Sequence, residues 1–360
     1  MSRSNWMSLL SQWRTAIGFT IGVLAAVSAG AAPQGLPPAV LNAIPTASRA
    51  VLGDHYPAVR VSFPNSVTGY PALTYAVIPG YRPLHLDLYL PPGPHKPHPL
   101  IVYIHGGGWA FGQPRQSGAF VNWPDVLALI ASRGYTVASV EYRLSSEAPF
   151  PAAIQDVKAA IRWLRFHAPQ YEINPREVGV WGGSAGGHLA ALAAVSCRVN
   201  ALSPTVSGGP KIAPGIGQAK IAPAGPQRSC VQAFATWYGV FKFAQGPRIP
   251  SLVRLFLGCA HTECTPTQVD AANPWTYVKS GEPPGLLIVG SADTVVGAQQ
   301  SRNFYHLLRA HGDPAQLLVI PGVNHSFIGK TPAATRAASL EALQRTVKFF
   351  EATLGVGPTH

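Results

Sequence analysis

Acidic side chains are scarce in this sequence. Its 360 residues include only 15 Asp and Glu against 27 Lys and Arg, so the formal net charge at pH 7 is +12. A basic chain can bind nucleic acids, but here the basic residues form no long runs and do not alternate with aromatic residues. We therefore expect no nucleic-acid partner and attribute the positive charge to the shortage of acids.

The apolar stretch near the N-terminus is too short for a typical membrane-spanning helix, because it covers only residues 17–29. Arg3 and Arg14 supply the positive charge before it, and residues 29–31 (AGA) fit a small-x-small cleavage site. We predict a signal peptide over residues 1–31, a secreted or periplasmic protein, and no stable membrane span in the mature form. An uncleaved membrane anchor is the alternative.

The four cysteines lack the spacing of a metal site. Cys197, Cys230, Cys259 and Cys264 form no C-x-x-C pair, and the sequence has no H-x-x-x-H pair, so we expect no metal. An even number of cysteines in an exported protein predicts disulfides instead. Three pairings are possible, and proximity in the sequence favours Cys197–Cys230 and Cys259–Cys264.

Short apolar segments alternate with helix-like segments along most of the chain. The predicted strands cover residues 85–90, 99–105, 136–142, 177–182, 231–239, 285–290 and 316–322. The predicted helices cover residues 123–132, 151–168, 185–195, 299–310 and 333–354. Apolar strands that alternate with helices indicate an α/β fold with a mostly parallel central sheet and helices on both faces.

Three segments interrupt this alternation. Residues 32–70 are rich in proline and weakly patterned, which predicts an N-terminal arm packed on a domain over residues 71–360. Residues 198–229 are rich in Pro, Gly and Ser, and we interpret them as an insertion that a Cys197–Cys230 bridge would tether. Residues 240–272 form either a small cap over a pocket or a plain connection, and we favour the cap.

Ser184 stands between two pairs of glycines where a predicted strand turns into a predicted helix. The stretch VWGGSAGGHLAAL covers residues 180–192, and residues 182–186 fit the pattern G-x-S-x-G. Such a turn needs small neighbours, leaves the serine hydroxyl exposed, and places it at a helix N-terminus that favours negative charge. The pattern predicts a catalytic nucleophile, although glycine-rich turns of this kind also bind phosphate or simply reverse the chain.

A second glycine-rich stretch, HGGGW over residues 105–109, ends a buried strand upstream of the serine. Consecutive glycines let backbone N–H groups approach a ligand, as an oxyanion hole requires, and the N–H of Ala185 would be a further donor. A flexible turn is the alternative. The position of the stretch, one strand–helix–strand–helix unit before Ser184, favours the oxyanion hole.

A serine nucleophile needs a base, and the base needs an acid that orients it. His325 lies directly after the last predicted strand, at the edge where open α/β sheets place their sites. Asp293 directly follows the preceding predicted strand. The order Ser184, Asp293, His325 is the serine–acid–histidine order of α/β-hydrolases, so these residues predict acyl transfer through a triad.

These stretches together resemble the α/β-hydrolase superfamily, and within it the serine esterases of the hormone-sensitive-lipase-like and feruloyl- and acetyl-esterase-like group. The resemblance rests on LDLYLP, IVYIHGGGWAFG, VEYRLSSEAPFPAAIQDVKAAIRWLR, VWGGSAGGHLAAL, SADTVV and GVNHSF, which lie between Leu86 and Phe327. It implies the α/β-hydrolase fold, with a small cap or insertion, and hydrolysis of carboxylic esters without a cofactor.

Carried over by position, the resemblance implies Ser184 as the nucleophile, Asp293 as the acid and His325 as the base. The oxyanion-hole N–H groups would come from Gly107, Gly108 and Ala185, with Gly106 as an alternative to one of the glycines. We expect substrate contacts from His105 and Trp109, and Trp109 could instead support the glycine loop.

The residue before the serine bears on the substrate. Many lipase-like members have an acid there, whereas this chain has Gly183, which favours the feruloyl- and acetyl-esterase-like branch. We expect a small-molecule or polymer-linked ester of the short-chain or acetyl/feruloyl type. The alternatives are a lipase-like esterase for longer acyl chains, an exopeptidase or amidase, and a non-catalytic binding protein. An exopeptidase or amidase would need a Glu pair to anchor a substrate amine, and we find no such pair.

Overall fold

The computed structural model describes residues 59–93, 96–204, 229–246 and 249–355. The predicted signal peptide, most of the predicted N-terminal arm and most of the predicted insertion lie outside these residues. The chain divides into units at residues 1–52 and 53–360, and every described residue belongs to the second. No helix in the described ranges is both long enough and apolar enough to cross a membrane.

The strands of the described ranges form one sheet. They are β1 (Val61–Phe63), β2 (Val67–Ala76), β3 (Leu84–Leu90), β4 (His98–Ile104), β5 (Thr136–Val140), β6 (Ile173–Gly183), β7 (Ala233–Trp237), β8 (Gly285–Gly290) and β9 (Ala315–Ile320). The strand order is β1-β2-β3-β5-β4-β6-β7-β8-β9. Strands β5, β4, β6, β7, β8 and β9 pair in parallel, and β1, β2 and β3 extend the sheet by antiparallel pairing. The predicted mostly parallel α/β fold is therefore confirmed.

Helices cover both faces of the sheet. They are α1 (Trp123–Ala131), α2 (Ala152–Phe166), α3 (Ala185–Val195), α4 (Ser251–Leu257), α5 (Pro266–Ala272), α6 (Gln299–Ala310) and α7 (Pro332–Leu354). Alternate residues of the fully buried β4 belong to two separate cores: Val102 packs with residues of α2 and α3, and Tyr103 packs with residues of α1 and α7. Burial on both faces explains why the central strands are continuous apolar runs.

The antiparallel edge corrects the prediction for residues 61–70, which we assigned to a proline-rich arm. Residues 61–63 form β1, residues 64–66 form a 3-10 turn, and residues 67–70 begin β2. Pro71 interrupts the pattern of β2, since proline lacks the N–H that a sheet ladder needs. The pairing of β2 with β3 is irregular at this point, and the N–H of Ala72 donates instead to the carboxylate of Asp87 (2.8 Å). Strand signals interrupted by proline are weak in a sequence, which is why this edge was missed.

The predicted cap segment, residues 240–272, contains two short helices, α4 and α5. Phe256 of α4 stacks on Trp109 of the glycine loop, with ring centroids 4.5 Å apart. Leu252 lies where a side chain at Gly108 would lie. Helix α4 therefore packs against the glycine loop.

The described cysteines form two disulfides, Cys197–Cys230 and Cys259–Cys264, which is the pairing that proximity in the sequence favours. The first joins the segment after α3 to the segment before β7, so it closes the base of the predicted insertion. The second links the end of α4 to the start of α5.

Candidate active site

Ser184 occupies the sharp turn between β6 and α3. Strand β6 ends at Gly183, α3 begins at Ala185, and Ser184 between them has φ 55° and ψ −120°. Non-glycine residues rarely adopt a positive φ, so the turn is strained. A Cβ on Gly182 would collide with the backbone of Gly186, and a Cβ on Gly186 would collide with the end of β4. The small neighbours in the sequence are therefore a steric requirement of this turn.

The structure brings together Ser184, His325 and Asp293, which are far apart in the sequence. The Ser184 Oγ lies 3.0 Å from His325 Nε2, and His325 Nδ1 lies 2.8 Å from Asp293 Oδ2. These residues follow β6, β9 and β8 respectively, and parallel strands present their carboxyl ends at one edge of the sheet. A histidine between a hydroxyl and a carboxylate can take the hydroxyl proton while the carboxylate stabilises the charged ring.

The Asp293 side chain is buried and fully engaged. Its Oδ1 accepts hydrogen bonds from the backbone N–H groups of Val295 (2.9 Å) and Val296 (2.8 Å), while Oδ2 faces His325. The side chain has no exposed surface, whereas 17% of the His325 side chain is exposed. The acid is thus fixed by its own loop, and the histidine is reachable from outside.

Two residues near the histidine were missed in the sequence. The Asn324 side-chain oxygen accepts from the N–H of His325 (2.7 Å) and from the N–H of Thr294 (2.9 Å), which ties the histidine loop to the acid loop. Tyr238, just after β7, packs on His325 with ring centroids 4.6 Å apart. The only signal for Asn324 was its place beside His325, and nothing in the sequence pointed to Tyr238.

The predicted oxyanion loop passes directly beside the elbow. A Cβ on Gly106 would lie 2.9 Å from the Gly183 carbonyl oxygen and 3.4 Å from the Cβ of Ser184. Gly107 and Gly108 have φ of 111° and 58°, which glycine adopts without strain. Ala185 is the first residue of α3, where backbone N–H groups have no partner within the helix. Backbone N–H donors from the glycine loop and from the start of α3 are therefore available next to Ser184.

His105, for which we predicted a substrate contact, is buried beside the glycine loop. The residue is 2% exposed, and its ring stacks on Tyr142 with centroids 4.4 Å apart. Its Nδ1 lies 2.8 Å from the Gly106 carbonyl oxygen. Burial lowers the pKa of His105 to about 4, so the ring is neutral at pH 7. Its packing stabilises the start of the glycine loop, and the glycine triplet in the sequence could not reveal which way the ring points.

Trp109, for which we predicted either a substrate contact or support of the glycine loop, is buried. It is 4% exposed, and its indole packs between Phe256 and His188 rather than lining an open surface. The indole Nε1–H donates to His188 Nδ1 (3.1 Å). His188 lies in α3, as its helical context predicted, and burial lowers its pKa to about 4.

Two buried acids outside the triad, Asp87 and Asp156, have structural partners. Asp87 pairs with Arg115 through two hydrogen bonds (2.6 and 2.9 Å), and Asp156 pairs with Arg143 through two more (both 2.8 Å). In the described part of the chain, His, Cys, Asp and Glu form no group of three or more that could hold a metal ion. The Ser184–His325–Asp293 arrangement and the glycine loop are therefore the candidate site for nucleophilic chemistry.

Sequence comparisons identify a family and relatives of this chain. The model of the BD-FAE family matches residues 86–308, more than half of the chain. Esterase LipQ of Mycobacterium tuberculosis is 31% identical over 69% of this chain and 55% of its own length. Carboxylesterase NlhH of the same organism is 28% identical over 74% of this chain and 80% of its own length. The chain spans little more than half the length of the first curated relatives it matches.

Solved structures with similar folds include esterases. A truncated carbohydrate esterase from gut microbiota has a TM-score of 0.61 and 26% identity, over 80% of this chain and 96% of that chain. The esterase Est2 of Thermogutta terrifontis has a TM-score of 0.61 over 80% of this chain and 94% of that chain. Its 23% identity shows a shared fold.

Proposed function

This chain belongs to the BD-FAE family and has the α/β-hydrolase fold, and from that premise we propose that it is a serine esterase that hydrolyses carboxylic esters. The observation that carries the proposal is the hydrogen-bonded series from Ser184 through His325 to Asp293, with distances of 3.0 and 2.8 Å. The esterase and carboxylesterase names of the relatives support the same chemistry.

The proposed reaction proceeds through an acyl-enzyme. The Ser184 oxygen attacks the ester carbonyl carbon as its proton passes to His325 Nε2, and Asp293 stabilises the imidazolium. The N–H groups of Gly107, Gly108 and Ala185 hold the oxyanion. The bond to the alcohol then breaks as His325 returns the proton to the leaving oxygen, and water hydrolyses the acyl-enzyme by the same proton route in reverse.

The proposed substrate is an ester with a short acyl group, of the acetyl or feruloyl type. Acetyl esterases of Salmonella are among the relatives, one of them 25% identical over 78% of this chain. The carbohydrate esterase among the solved structures is consistent with an acyl group carried on a polymer. Gly183, in place of the acid of many lipase-like members, supports the same branch.

A preference for longer acyl chains is the second candidate, and exposed apolar side chains favour it. Phe111 follows the glycine loop and is 68% exposed, Leu252 of α4 lies against Gly108, and Val295 and Ile328 are exposed near Asp293 and His325. Apolar side chains on several loops around one site can receive an apolar acyl chain.

The proposed location is the cell exterior or the periplasm. Disulfides persist in oxidising compartments, and Cys197–Cys230 and Cys259–Cys264 are both bonded. The predicted signal peptide over residues 1–31 would direct the chain there. Sodium dodecyl sulfate gels without reductant, run on protein recovered from outside the cytoplasm, test the disulfides and the export of the chain together.

The proposed activity is tested with p-nitrophenyl esters from acetate to palmitate. We expect the purified protein to hydrolyse the short esters fastest, and Ser184→Ala to reduce kcat by roughly four orders of magnitude or more. A second variant, Ser203→Ala, changes a serine outside the site and should leave kcat unchanged. Circular dichroism and the melting temperature establish that each variant is folded.

Each outcome of the ester series has a definite meaning. A maximum at long acyl chains would replace the short-chain proposal with the lipase-like one. No hydrolysis of any ester by the folded protein, or equal hydrolysis by Ser184→Ala, would overturn the esterase proposal itself.

A further inference from the structure

His188 is a fully buried histidine that the proposed reaction does not use. It lies on the first turn of α3, and its backbone N–H donates to the Ser184 carbonyl oxygen (2.9 Å). Its Nδ1 accepts from Trp109 Nε1–H (3.1 Å), and its Nε2 lies 2.8 Å from the carbonyl oxygen of Ala272, the last residue of α5. One residue therefore connects the elbow, the glycine loop and the cap segment.

The partners of the ring determine which nitrogen carries its hydrogen. The Trp109 indole nitrogen is only a donor, so Nδ1 of His188 must accept. The Ala272 carbonyl is only an acceptor, so Nε2 must donate. Burial lowers the pKa of His188 to about 4, which agrees with a ring that stays neutral in this tautomer at pH 7.

Contacts hold both the backbone and the indole ring of Trp109. Its carbonyl oxygen accepts from the N–H of Ser145 (2.8 Å), and its indole stacks on Phe256 with an angle of 18° between the rings. Trp109 also has a positive φ of 60°, which a non-glycine residue keeps only when its surroundings enforce it. Because Trp109 follows Gly108 directly, a shift of the indole would move the Gly108 N–H.

We propose that His188 is a positioning residue for ester hydrolysis, holding residues 107–109 at a fixed distance from Ser184 so that the loop N–H groups meet the oxyanion. The inference rests on the proposed function. His188 would touch no substrate and would act through Trp109. Because oxyanion donors stabilise the transition state more than the bound ester, a displaced loop should lower kcat and leave KM nearly unchanged.

Three substitutions of His188 test the two hydrogen bonds of its ring separately. His188→Asn can place its side-chain oxygen near the position of Nδ1, so it keeps an acceptor for Trp109 and loses the bond to Ala272. His188→Gln can reach Ala272 with its amide N–H, but it leaves no acceptor at the position of Nδ1. His188→Leu fills a similar volume and loses both bonds.

The measurements are kcat and KM on p-nitrophenyl acetate and the inhibition constant of a trifluoromethyl ketone, which forms a tetrahedral adduct with an active serine. We expect His188→Asn to keep kcat within about threefold, and His188→Gln and His188→Leu to lose about tenfold or more, with KM changed less than about threefold. The inhibition constant of the ketone should rise in proportion to the loss of kcat, because the ketone mimics the transition state.

The hydrogen bond between Trp109 and His188 can also be removed by changing Trp109. Trp109→Phe keeps an aromatic ring and deletes the N–H donor, so it should lose kcat to the same extent as His188→Leu. The double variant, His188→Leu with Trp109→Phe, should lose no more kcat than either single variant, since both changes remove the same hydrogen bond between Trp109 and His188. His167→Asn is the matched control, because His167 is a half-buried histidine at the C-terminal end of α2, and it should change neither kcat nor the inhibition constant.

Several results would overturn the inference. Wild-type kcat in folded His188→Leu and Trp109→Phe would show a purely structural histidine, even if both melting temperatures fall. Equal losses in His188→Asn and His188→Leu would show that the bond to Trp109 is not the one that matters. If the wild type hydrolyses no ester at all, the proposed function has failed instead, and the two failures are distinguishable.

Discussion

Gly183 and Tyr238 share a small space beside His325. A Cβ on Gly183 would lie 3.1 Å from both Cε2 and the hydroxyl oxygen of Tyr238, and the Tyr238 ring packs on His325. The absence of an acid before the serine therefore has a packing reason in this chain. The tyrosine ring occupies the space into which a side chain at position 183 would project.

We predict that Gly183→Ala lowers both activity and stability. The added methyl group must push Tyr238 aside, which should displace His325, reduce kcat several-fold and cost about 1–3 kcal/mol of unfolding free energy. Ester hydrolysis and urea unfolding measure the two effects. Gly297→Ala is the control, because a Cβ there meets nothing within 4 Å and should change neither quantity. Wild-type kcat in folded Gly183→Ala would contradict the steric argument.

The predicted cap segment shows how short elements obtain their stability from their surroundings. Helix α4 has only 7 residues, too few to be stable alone in water, and α5 has the same length. Burial of Phe256 and Leu257, a left-handed Gly258 at the end of α4 and the Cys259–Cys264 disulfide hold the segment in place. These tertiary contacts explain why the sequence pattern of residues 240–272 was weak.

The two disulfides should contribute unequally to stability. On the loop-entropy account, a bridge over a separation of 33 residues contributes about 4 kcal/mol and a bridge over 5 residues about 2 kcal/mol. We expect the double variant Cys197→Ser with Cys230→Ser to lose more unfolding free energy than Cys259→Ser with Cys264→Ser. Urea denaturation of both variants and the wild type tests the order. A larger loss from the short bridge would mean that local packing around α4 outweighs chain entropy.

At the scale of the whole molecule, the parallel direction of the strands brings the residues of the site together. Strands β6, β8 and β9 run parallel, so the loops that follow them meet at one edge. Ser184, Asp293 and His325 are brought together in this way. The antiparallel strands β1, β2 and β3 lie at the far side of the sheet and extend its core without contributing to the triad.

Buried histidines should make the stability of the whole protein sensitive to acid. Burial lowers the pKa of His105 and His188 to about 4, from an ordinary value of 6.5. Between pH 6.5 and 4 the unfolded chain binds more protons than the folded chain, so the unfolding free energy should fall by roughly 3 kcal/mol for each histidine. Glu282, whose pKa is raised to about 7, acts in the opposite direction but is partly exposed and contributes less.

Urea unfolding at a series of pH values measures this dependence. His188→Asn removes one contribution, so its stability should fall less steeply than that of the wild type between pH 6.5 and 4. Glu282→Gln removes the opposing contribution and should make the fall steeper. Identical slopes in the wild type and His188→Asn would show that His188 does not resist protonation in the fold.

The sequence by itself determined the central strands, the helices on both faces and the residues that meet at the site. These features depend on local patterns, because a strand buried on both faces must be apolar throughout and a serine elbow needs small neighbours in sequence. The parallel pairing of apolar strands also implied that Ser184, Asp293 and His325 share one edge. For these reasons the predicted α/β fold and the observed one agree closely.

Only the tertiary structure decided what the surrounding residues do. The rings of His105 and Trp109 are buried, because Tyr142 and Phe256 pack on them. The edge formed by β1 and β2 depends on pairing with β3 across an irregularity at Pro71. Such outcomes follow from contacts between distant segments, and a single sequence without those contacts records only that the residues are present.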